Sequence, residues 1–360
     1  MRNQKKGDDM SKEEIRELVG KLAENASLSL CEYKKLIEER TQDSAALLRV
    51  LAVKKRKEIY GNRVFIRGLV EISNICRNDC LYCGIRKSNK NCSRYRLSED
   101  EILACCKEGH FLGFRTFVLQ GGEDAAFTDD FLCSLIERIK VNHGDSAITL
   151  SLGERSRESY ERLYRAGADR YLLRHETADS GHYAKLHPEK MSFENRMRCL
   201  YDLKEIGFAV GCGFMVGSPF QTAETLAKDL KFIEEFKPHM CGIGPFIPQS
   251  DTPFGNEKSG EVDLTCYLLS IIRLIQPNVL LPATTALASV DKYGCERGIM
   301  SGANVVMPNL TPVNVRKKYA LYDNKAVEDS ESAQGLDVLK NKMSAIGYEV
   351  VTDRGDMAVL

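Results

Sequence analysis

The chain has 360 residues, a length that suits one large α/β domain with extensions. Its 51 Lys and Arg residues balance 51 Asp and Glu residues, which argues against binding of nucleic acid or anionic membranes through bulk charge. No run of about 18 apolar residues predicts a transmembrane helix, and the N-terminus carries no apolar segment of signal-peptide type. Thirteen cysteines, an odd number without an export signal, indicate a reducing compartment, so we expect a cytoplasmic protein.

The predicted elements begin with helices and then alternate between strands and helices. Residues 1–60 are predicted as an N-terminal helical extension, because Ile15, Leu18 and Leu22 keep helical spacing. From residue 61, short apolar strands alternate with amphipathic helices, which is typical of a parallel sheet. We predict strands at 64–73, 116–120, 147–152, 170–174, 209–216, 240–243, 279–282 and 304–307. We predict the helices between and after them at 99–108, 129–139, 157–166, 192–206, 223–235, 264–275 and 313–319.

The number and spacing of the strands predict the fold class. Eight strands are predicted between residues 64 and 307. The length of this segment is close to the ~250 residues of a closed (β/α)8 barrel of the TIM type. We therefore predict an α/β protein with this barrel at 61–322 and a short C-terminal tail at 323–360, which contains one more helix at 336–346. A doubly wound open sheet is the alternative, since one sequence rarely fixes closure.

Alternation along the strands predicts a polar space inside the barrel, because successive side chains point to opposite faces. Thr149 and Ser151 share the inward parity of their strand, and Arg174 and Glu176 share that of the next. A structural barrel fills its centre with branched apolar residues instead. Glycines at 211 and 213 would widen the space further or, alternatively, serve strand curvature. The pattern favours an enclosed site for a small polar substrate.

A cysteine motif follows the first predicted strand. Cys76, Cys80 and Cys83 form CX3CX2C on one loop, at the strand end where barrel active sites are built. Three thiolates on a [4Fe–4S] cluster leave one iron without a protein ligand, open to a small molecule. Zinc is an alternative, although it normally requires four ligands. Cys92 is close enough in sequence to be a fourth ligand, and three structural cysteines are a further possibility.

The motif resembles the signature of the radical S-adenosylmethionine (SAM) superfamily, in which an aromatic residue, here Tyr82, precedes the last cysteine. In that superfamily the open iron binds SAM, whose reductive cleavage gives a 5′-deoxyadenosyl radical. Gly121, Gly122 and Glu123 resemble the segment that meets the methionine amino group of SAM. A Gly-Gly turn after a strand needs no function by itself, but its position after CX3CX2C favours one.

Further short runs, in order along the chain, resemble the HydE-type [FeFe]-hydrogenase maturases, with methylornithine synthase and biotin synthase as related alternatives. The runs cover residues 94–97, 118–124, 149–154, 169–177, 192–196, 215–219, 242–248, 282–285 and 307–312. The resemblance implies one [4Fe–4S] cluster on the three cysteines and SAM contacts from Glu176, Arg196 and Tyr319. It also implies a polar substrate cavity lined by Gln120, Thr149, Ser151, Arg174, Thr284 and Thr285. Arg196 is alternatively a surface charge, and the two threonines are alternatively helix caps.

The resemblance implies chemistry and partners as well. The substrate would be a small molecule, a cysteine-bound iron carbonyl cyanide precursor of the hydrogenase cluster. A low-potential electron donor (ferredoxin or flavodoxin) and other hydrogenase maturases would be partners. We expect no second, C-terminal cluster, because Cys295 is the last cysteine. No acid–base pair stands out, so we expect no catalytic residue beyond the cluster and SAM. A non-catalytic iron–sulfur or zinc protein is the alternative from another class.

Overall fold

The computed structural model describes residues 2–325 and 335–359, with side chains from residue 12 onward. Its helices are α1 (Arg2–Asn25), α2 (Leu30–Glu38), α3 (Gln42–Tyr60), α4 (Glu99–Phe111), α5 (Asp129–Asn142), α6 (Arg157–Arg165), α7 (Ser180–Leu186), α8 (Phe193–Ile206), α9 (Ala223–Phe236), α10 (Val262–Ile275), α11 (Thr285–Val290), α12 (Gly294–Ile299), α13 (Val313–Arg316) and α14 (Leu336–Ala345). Its strands are β1 (Arg63–Ile66), β2 (Gly68–Ser73), β3 (Thr116–Gly121), β4 (Ala147–Ser151), β5 (Arg170–Leu172), β6 (Ala209–Cys212), β7 (Met215–Val216), β8 (Met240–Cys241), β9 (Gly244–Pro245), β10 (Val305–Val306) and β11 (Glu349–Val351).

The strands form a closed parallel ring, as predicted. Six of them make one parallel sheet in the order β2–β3–β4–β5–β6–β8. Isolated parallel bridges continue the ring, from Met240 to Leu280, from Pro282 to Val305 and from Asn309 to Leu69. The predicted strand at 279–282 exists only as these bridges. The fold is the (β/α)8 arrangement, with helices on the outside and an enclosed interior.

Two predicted strands are each divided in the structure. The first divides at Arg67 into β1, which pairs with β10 and β11, and β2, which pairs with β3. The strand at 209–216 divides at Gly213, whose φ is +152°. A Cβ at Gly213 would lie 2.0 Å from the carbonyl oxygen of Gly242, so glycine is required where these two backbones cross.

The N-terminal helices pack against the outside of the barrel, as an amphipathic extension should. Ile15 and Leu22 of α1 are buried, and the hydroxyl of Tyr33 in α2 donates to Glu234 of α9 at 2.8 Å. Tyr267 of α10 donates to the carbonyl of Leu36 at 2.8 Å. Within the described residues, no helix has both the length and the apolar character needed to cross a membrane.

The C-terminal tail covers the N-terminal end of the barrel. It contains the predicted helix, as α14, and also a strand that was not predicted: β11, which pairs in parallel with β1. Beyond β11, the carbonyl of Arg354 accepts hydrogen bonds from Thr116 and Arg170 at 2.7 and 2.8 Å. The carboxylate of Asp356 pairs with the buried Arg170 at 2.5 Å. The tail is therefore part of the barrel's packing at this end of the interior.

Candidate functional site

A cavity of about 360 Å³ lies inside the barrel, among side chains at the carboxyl ends of the strands. Cys76 borders it after β2, Gly122 after β3 and Ser151 at the end of β4. Arg174 borders it after β5, and Thr284 borders it just before α11. A second groove of about 520 Å³, bordered by Arg77, Glu154 and Arg155, shares Glu123 with this cavity. Because the thiols line only the inner cavity, we place the chemistry there.

The three motif cysteines all line this cavity, and each is half-buried. Their loop is held from beneath by Arg94, whose guanidinium donates to the carbonyls of Asn74 at 2.6 Å, Ile85 at 2.7 Å and Arg86 at 2.6 Å. A second clamp is the ion pair of Arg86 with Asp79 at 2.6 Å. The geometry of the loop is therefore fixed by buried charge-assisted hydrogen bonds rather than by the thiols themselves.

Burial disfavours the free thiolate form of the three motif cysteines. Burial raises the pKa of Cys83 to about 12, and burial also raises the pKa of Cys76 and Cys80. Within the described part of the chain, no three Cys, His, Asp or Glu side chains converge on the place of a single ion. In a [4Fe–4S] cluster each thiolate binds a different iron, so three separated thiols on one loop fit the cluster.

Cys92 lies outside the cavity lining. Its sulfur is 3.5 Å from the side-chain nitrogen of Asn74, which turns away to the carbonyls of Ser93 and Lys318 at 2.9 and 2.7 Å. The structure therefore places Cys92 behind the loop that carries Cys76, Cys80 and Cys83, here named the cluster loop. This position does not support the alternative of a fourth ligand.

The glycine pair after β3 allows the cluster loop to approach the sheet. A Cβ at Gly122 would lie 2.3 Å from the carbonyl oxygen of Ile75 and 2.7 Å from the Cβ of Cys76. Glu123, the next residue, pairs with Arg77 at 2.8 Å and accepts from the backbone of Glu154 at 2.9 Å. The turn is therefore shaped by the cysteine loop, and glycine at 122 is a steric requirement.

Buried polar atoms without hydrogen-bond partners lie in the cavity wall. They are Nε and Nη2 of Arg174, Oε2 of Glu176 and Oγ1 of Thr149. Arg174 and Glu176 approach each other at 3.5 Å, which is too long for a good charge-assisted hydrogen bond. Glu176 also has a φ of +65°, a costly conformation for this residue type. Buried polar groups normally have partners, so these atoms fit a polar ligand such as SAM.

Arg196 is buried, which contradicts the alternative of a surface charge. Its Nε donates to Glu154 at 2.6 Å and its Nη1 to the carbonyl of Arg174 at 2.7 Å. Burial alone would lower the pKa of Arg196, but Tyr183 and Glu154 raise it above its usual value. Sequence reasoning missed Glu154 as a partner, although the residue follows β4 within three positions and belongs to a run singled out for resemblance.

The remaining predicted residues also border the cavity. Tyr319 is 2% exposed, and its hydroxyl accepts from the side chain of Gln120 at 3.4 Å. Thr284 stands at the N-cap of α11 without a side-chain capping bond, and its hydroxyl donates to the carbonyl of Ile243 at 3.3 Å. Thr285 and Ser151 line the same wall. Gly211 does not widen the interior, because the side chains of Leu172 and Met240 fill its place.

Tyr82 of the cluster loop is fixed by a histidine that sequence reasoning missed. Burial and the nearby Arg196 lower the pKa of His187 to about 3, so its ring is neutral. Its Nδ1–H then donates to the carbonyl of Tyr183 at 3.0 Å, and its Nε2 accepts from the hydroxyl of Tyr82 at 3.2 Å. The ring also stacks on Tyr183, with centroids 3.9 Å apart.

Other cavity residues that sequence reasoning missed belong to two groups. The first is methionine: Met191, Met215, Met240 and Met307 line the walls. The second is charged: Glu71 is 1% exposed and pairs with Lys325, and Arg67 borders the cavity near Met240. The inward parity of Glu71 within its strand was the available signal.

The region from residue 70 to residue 233 matches the family model of the radical SAM superfamily. The HydE subunit of the [FeFe] hydrogenase maturase of Thermotoga maritima is 46% identical over 275 residues, which cover 76% of this chain and 78% of that protein. The chain belongs to the radical SAM superfamily and, within it, to the HydE family. It is therefore a radical SAM enzyme, and this family implies a [4Fe–4S] cluster and SAM.

Two further comparisons extend over more of this radical SAM chain. The 3-methylornithine synthase of Methanosarcina acetivorans is 29% identical over 321 residues, covering 89% of this chain and 90% of that protein. A crystal structure of methylornithine synthase superposes with a TM-score of 0.81 at 25% identity, covering 93% of this chain and 97% of that one. The family region contains the cysteine loop and Arg196, whereas Thr284, Thr285 and Tyr319 lie beyond it.

Proposed function

We propose that this radical SAM enzyme acts in maturation of [FeFe] hydrogenase, on a thiol-containing iron carbonyl cyanide precursor of the catalytic cluster. The observation that carries the proposal is the placement of three half-buried thiols and unpartnered polar atoms of Arg174, Glu176 and Thr149 around one enclosed cavity. The 46% identity to a hydrogenase maturase favours this substrate class.

In this proposal Cys76, Cys80 and Cys83 hold a single [4Fe–4S] cluster. When bound, the cluster and SAM supply a carbon radical at the adenosyl 5′ position. Cys295 is the last cysteine of the chain, so a second cluster further along would have no thiolate. The protein's own contribution is to bind, to orient and to exclude water.

The polar residues divide between the cofactor and the substrate. Arg196, kept charged and oriented by Glu154, would meet the SAM carboxylate, and Glu176 the SAM ribose. Arg174 presents two unpartnered nitrogens to carboxylate or cyanide groups of the substrate. Gln120, Thr149, Ser151, Thr284 and Thr285 add hydrogen-bonding groups around it. Tyr319 and the C-terminal tail at the opposite end of the barrel would keep water away from the radical.

The second candidate is an amino-acid-rearranging enzyme of the methylornithine synthase type. The coverage of 93% and 97% in the structural superposition, including the regions outside the barrel's first half, favours it as the alternative. The two candidates share the cluster loop and differ in the substrate that the cavity wall accepts.

The deciding experiment has two stages. The protein is first reconstituted with iron and sulfide without oxygen and treated with dithionite and SAM; formation of 5′-deoxyadenosine is expected. Its absence, together with zinc in place of about four irons, would contradict radical chemistry and favour a non-catalytic metal protein. Restored H2 production in a host that lacks its own HydE then supports the maturase proposal, whereas conversion of lysine to methylornithine supports the second candidate.

The proposal includes a cellular setting. A low-potential ferredoxin or flavodoxin would reduce the cluster, the other hydrogenase maturases would supply and receive the precursor, and the cytoplasm would provide the reducing environment. Charge balance over the whole chain gives no support to nucleic acid as a partner.

A further inference from the structure

The surface around the cluster loop is strongly basic, although the chain as a whole has a formal net charge of zero. Three segments meet there: residues 74–93, 185–191 and 317–325. Together they contain nine Lys and Arg residues and three Asp and Glu residues, a net charge of +6. Six exposed lysines form what we call the lysine collar: Lys87, Lys90, Lys185, Lys190, Lys317 and Lys318.

Backbone and side-chain contacts bring the collar to the cluster loop from several directions. The backbone of Lys87 donates to the carbonyl of Asn78 at 2.8 Å, and the carbonyl of Lys318 accepts from Asn74 at 2.7 Å. Lys185 precedes Leu186, whose carbonyl accepts from Leu81 of the loop at 3.0 Å. Lys190 precedes Met191, whose sulfur is 3.7 Å from that of Cys80. These contacts place the backbone of Lys87 and Lys318, and the residues that follow Lys185 and Lys190, against the loop that carries the cysteines.

No carboxylate of the described residues neutralises the positive charge of the collar. None of the six lysines pairs with a carboxylate among residues 12–325 and 335–359. The acidic residues nearby are occupied: Asp79 is held by Arg86, and Asp251 accepts from Asn91 at 2.6 Å. Glu189 is exposed and lies next to Lys190 of the collar. An uncompensated basic surface in a neutral protein attracts an acidic partner.

An exposed aromatic residue lies beside Lys185 of the collar. Phe220 is 56% exposed, its φ is +64°, and the ammonium of Lys185 lies 5.4 Å from its ring. Its ring meets that of Phe254 at 6.2 Å, and Phe254 belongs to the buried cluster against which Leu81 and Tyr82 pack. Aromatic residues are enriched in protein–protein interfaces, and backbone strain is retained at functional positions.

We propose that the lysine collar and Phe220 are the docking surface for an acidic, low-potential electron-transfer protein of the flavodoxin or ferredoxin class. The inference rests on the proposed function. The half-buried cysteines place the cluster close to this surface, so an electron crosses little protein. In the transfer, the donor loses one electron, the [4Fe–4S] cluster gains it, and no covalent bond forms or breaks. Complementary charge raises the rate of encounter with the correct partner.

The test compares two reductants in the reconstituted holoprotein at saturating SAM, without other substrate, by following 5′-deoxyadenosine. One reductant is a reduced acidic flavodoxin, and the other is reduced methyl viologen, a small cation. A variant with Lys87→Glu, Lys185→Glu, Lys190→Glu and Lys318→Glu should be slower by about tenfold or more with flavodoxin, since steering changes association rates by roughly 10–10³-fold. With methyl viologen its rate should be equal or higher.

The matched control reverses four exposed lysines elsewhere, Lys12, Lys54, Lys107 and Lys340, with the same change in net charge. It should retain the native rate with both reductants. Phe220→Ser should slow only the flavodoxin reaction, and added salt should slow that reaction in the native protein. Equal loss with both reductants, or a flavodoxin rate that neither salt nor charge reversal changes, would overturn the docking surface. No product with methyl viologen in the native protein would instead overturn the proposed function.

Discussion

Glu154 and Arg196 form a buried ion pair at the cavity wall, with Nε of Arg196 donating to Oε1 of Glu154 at 2.6 Å. Both side chains are largely hidden from solvent, at 14% and 9% exposure. Asn195 donates to the other carboxylate oxygen of Glu154 at 2.5 Å. The carboxylate thus fixes the direction of the guanidinium, although only Arg196 was a candidate from the sequence.

Glu154→Gln should weaken SAM binding. The substitution removes the charge that orients Arg196 and leaves a buried guanidinium without its counter-ion. We expect the dissociation constant of SAM to rise by about tenfold, equivalent to about 1.4 kcal/mol. Equilibrium dialysis of the reconstituted protein measures it, with the exposed Glu158→Gln as the control. An unchanged dissociation constant would contradict the role given to this pair.

Cys80→Ala and Cys92→Ala should show that Cys80 binds the cluster and that Cys92 does not. Cys80 lines the cavity, and Cys92 lies behind Asn74. Reconstituted native protein and Cys92→Ala should both contain about four irons per chain, whereas Cys80→Ala should lose most of them. Iron analysis after gel filtration provides the measurement. Loss of the cluster in Cys92→Ala would show that this thiol closes the fourth corner.

Gly122→Ala should displace the cluster loop. The new Cβ would lie 2.3 Å from the carbonyl of Ile75, so the backbone beside Cys76 must move. A misplacement of about 1 Å at a reacting centre can cost roughly 100-fold in rate, and we expect 5′-deoxyadenosine formation to fall at least about tenfold. Gly20→Ala is the matched control, because nothing lies within 4 Å of its Cβ. Native activity in Gly122→Ala would contradict the claim that only glycine fits at this position.

His187 should make the stability of the protein depend on pH. Its pKa falls from 6.5 to about 3 on folding, so the unfolded chain binds the proton more strongly. Stability is therefore full above pH 6.5 and is lost as the pH falls towards 3, by up to about 1.4 kcal/mol per unit. Urea unfolding of the apo chain at pH 6.5 and pH 5 measures this loss of unfolding free energy. The loss should be smaller in His187→Gln than in the native protein. An equal loss of unfolding free energy between pH 6.5 and pH 5 in the two proteins would contradict a buried, neutral His187 ring.

Asp356→Asn should destabilise the barrel from its N-terminal end. Arg170 is 1% exposed and pairs with Asp356 at 2.5 Å, so the substitution leaves a buried guanidinium without a carboxylate. Because Asp356 itself is 58% exposed, water can partly replace it, and we expect a loss of about 2 kcal/mol. Asp353→Asn, whose ion pair with Arg63 is exposed, should cost less than about 0.5 kcal/mol in the same urea titration. Equal losses of unfolding free energy in the two variants would show that the Asp356–Arg170 pair does not stabilise the barrel.

The sequence predicted most of the barrel because its signals are local. Periodic apolar residues located β3, β4, α5 and α9 to within a few residues. The prediction from the sequence was wrong where the backbone geometry depends on a distant segment. Arg67 interrupts the first strand because β1 pairs with β10 and β11, and Gly213 interrupts another because Gly242 crosses it. The short helices α7, α11 and α12 carry too little periodicity to be predicted.

By itself the sequence determined the candidate ligands: three cysteines on one strand-end loop, and inward parity for Thr149, Ser151, Arg174 and Glu176. Spacing along a strand or loop fixes these features without reference to the rest of the chain. Only the tertiary structure decided the pairs that join separate elements: Glu154 with Arg196, Tyr82 with His187, and Asp356 with Arg170. Each joins residues between 42 and 186 positions apart, and no local pattern records which distant side chain will satisfy a buried charge.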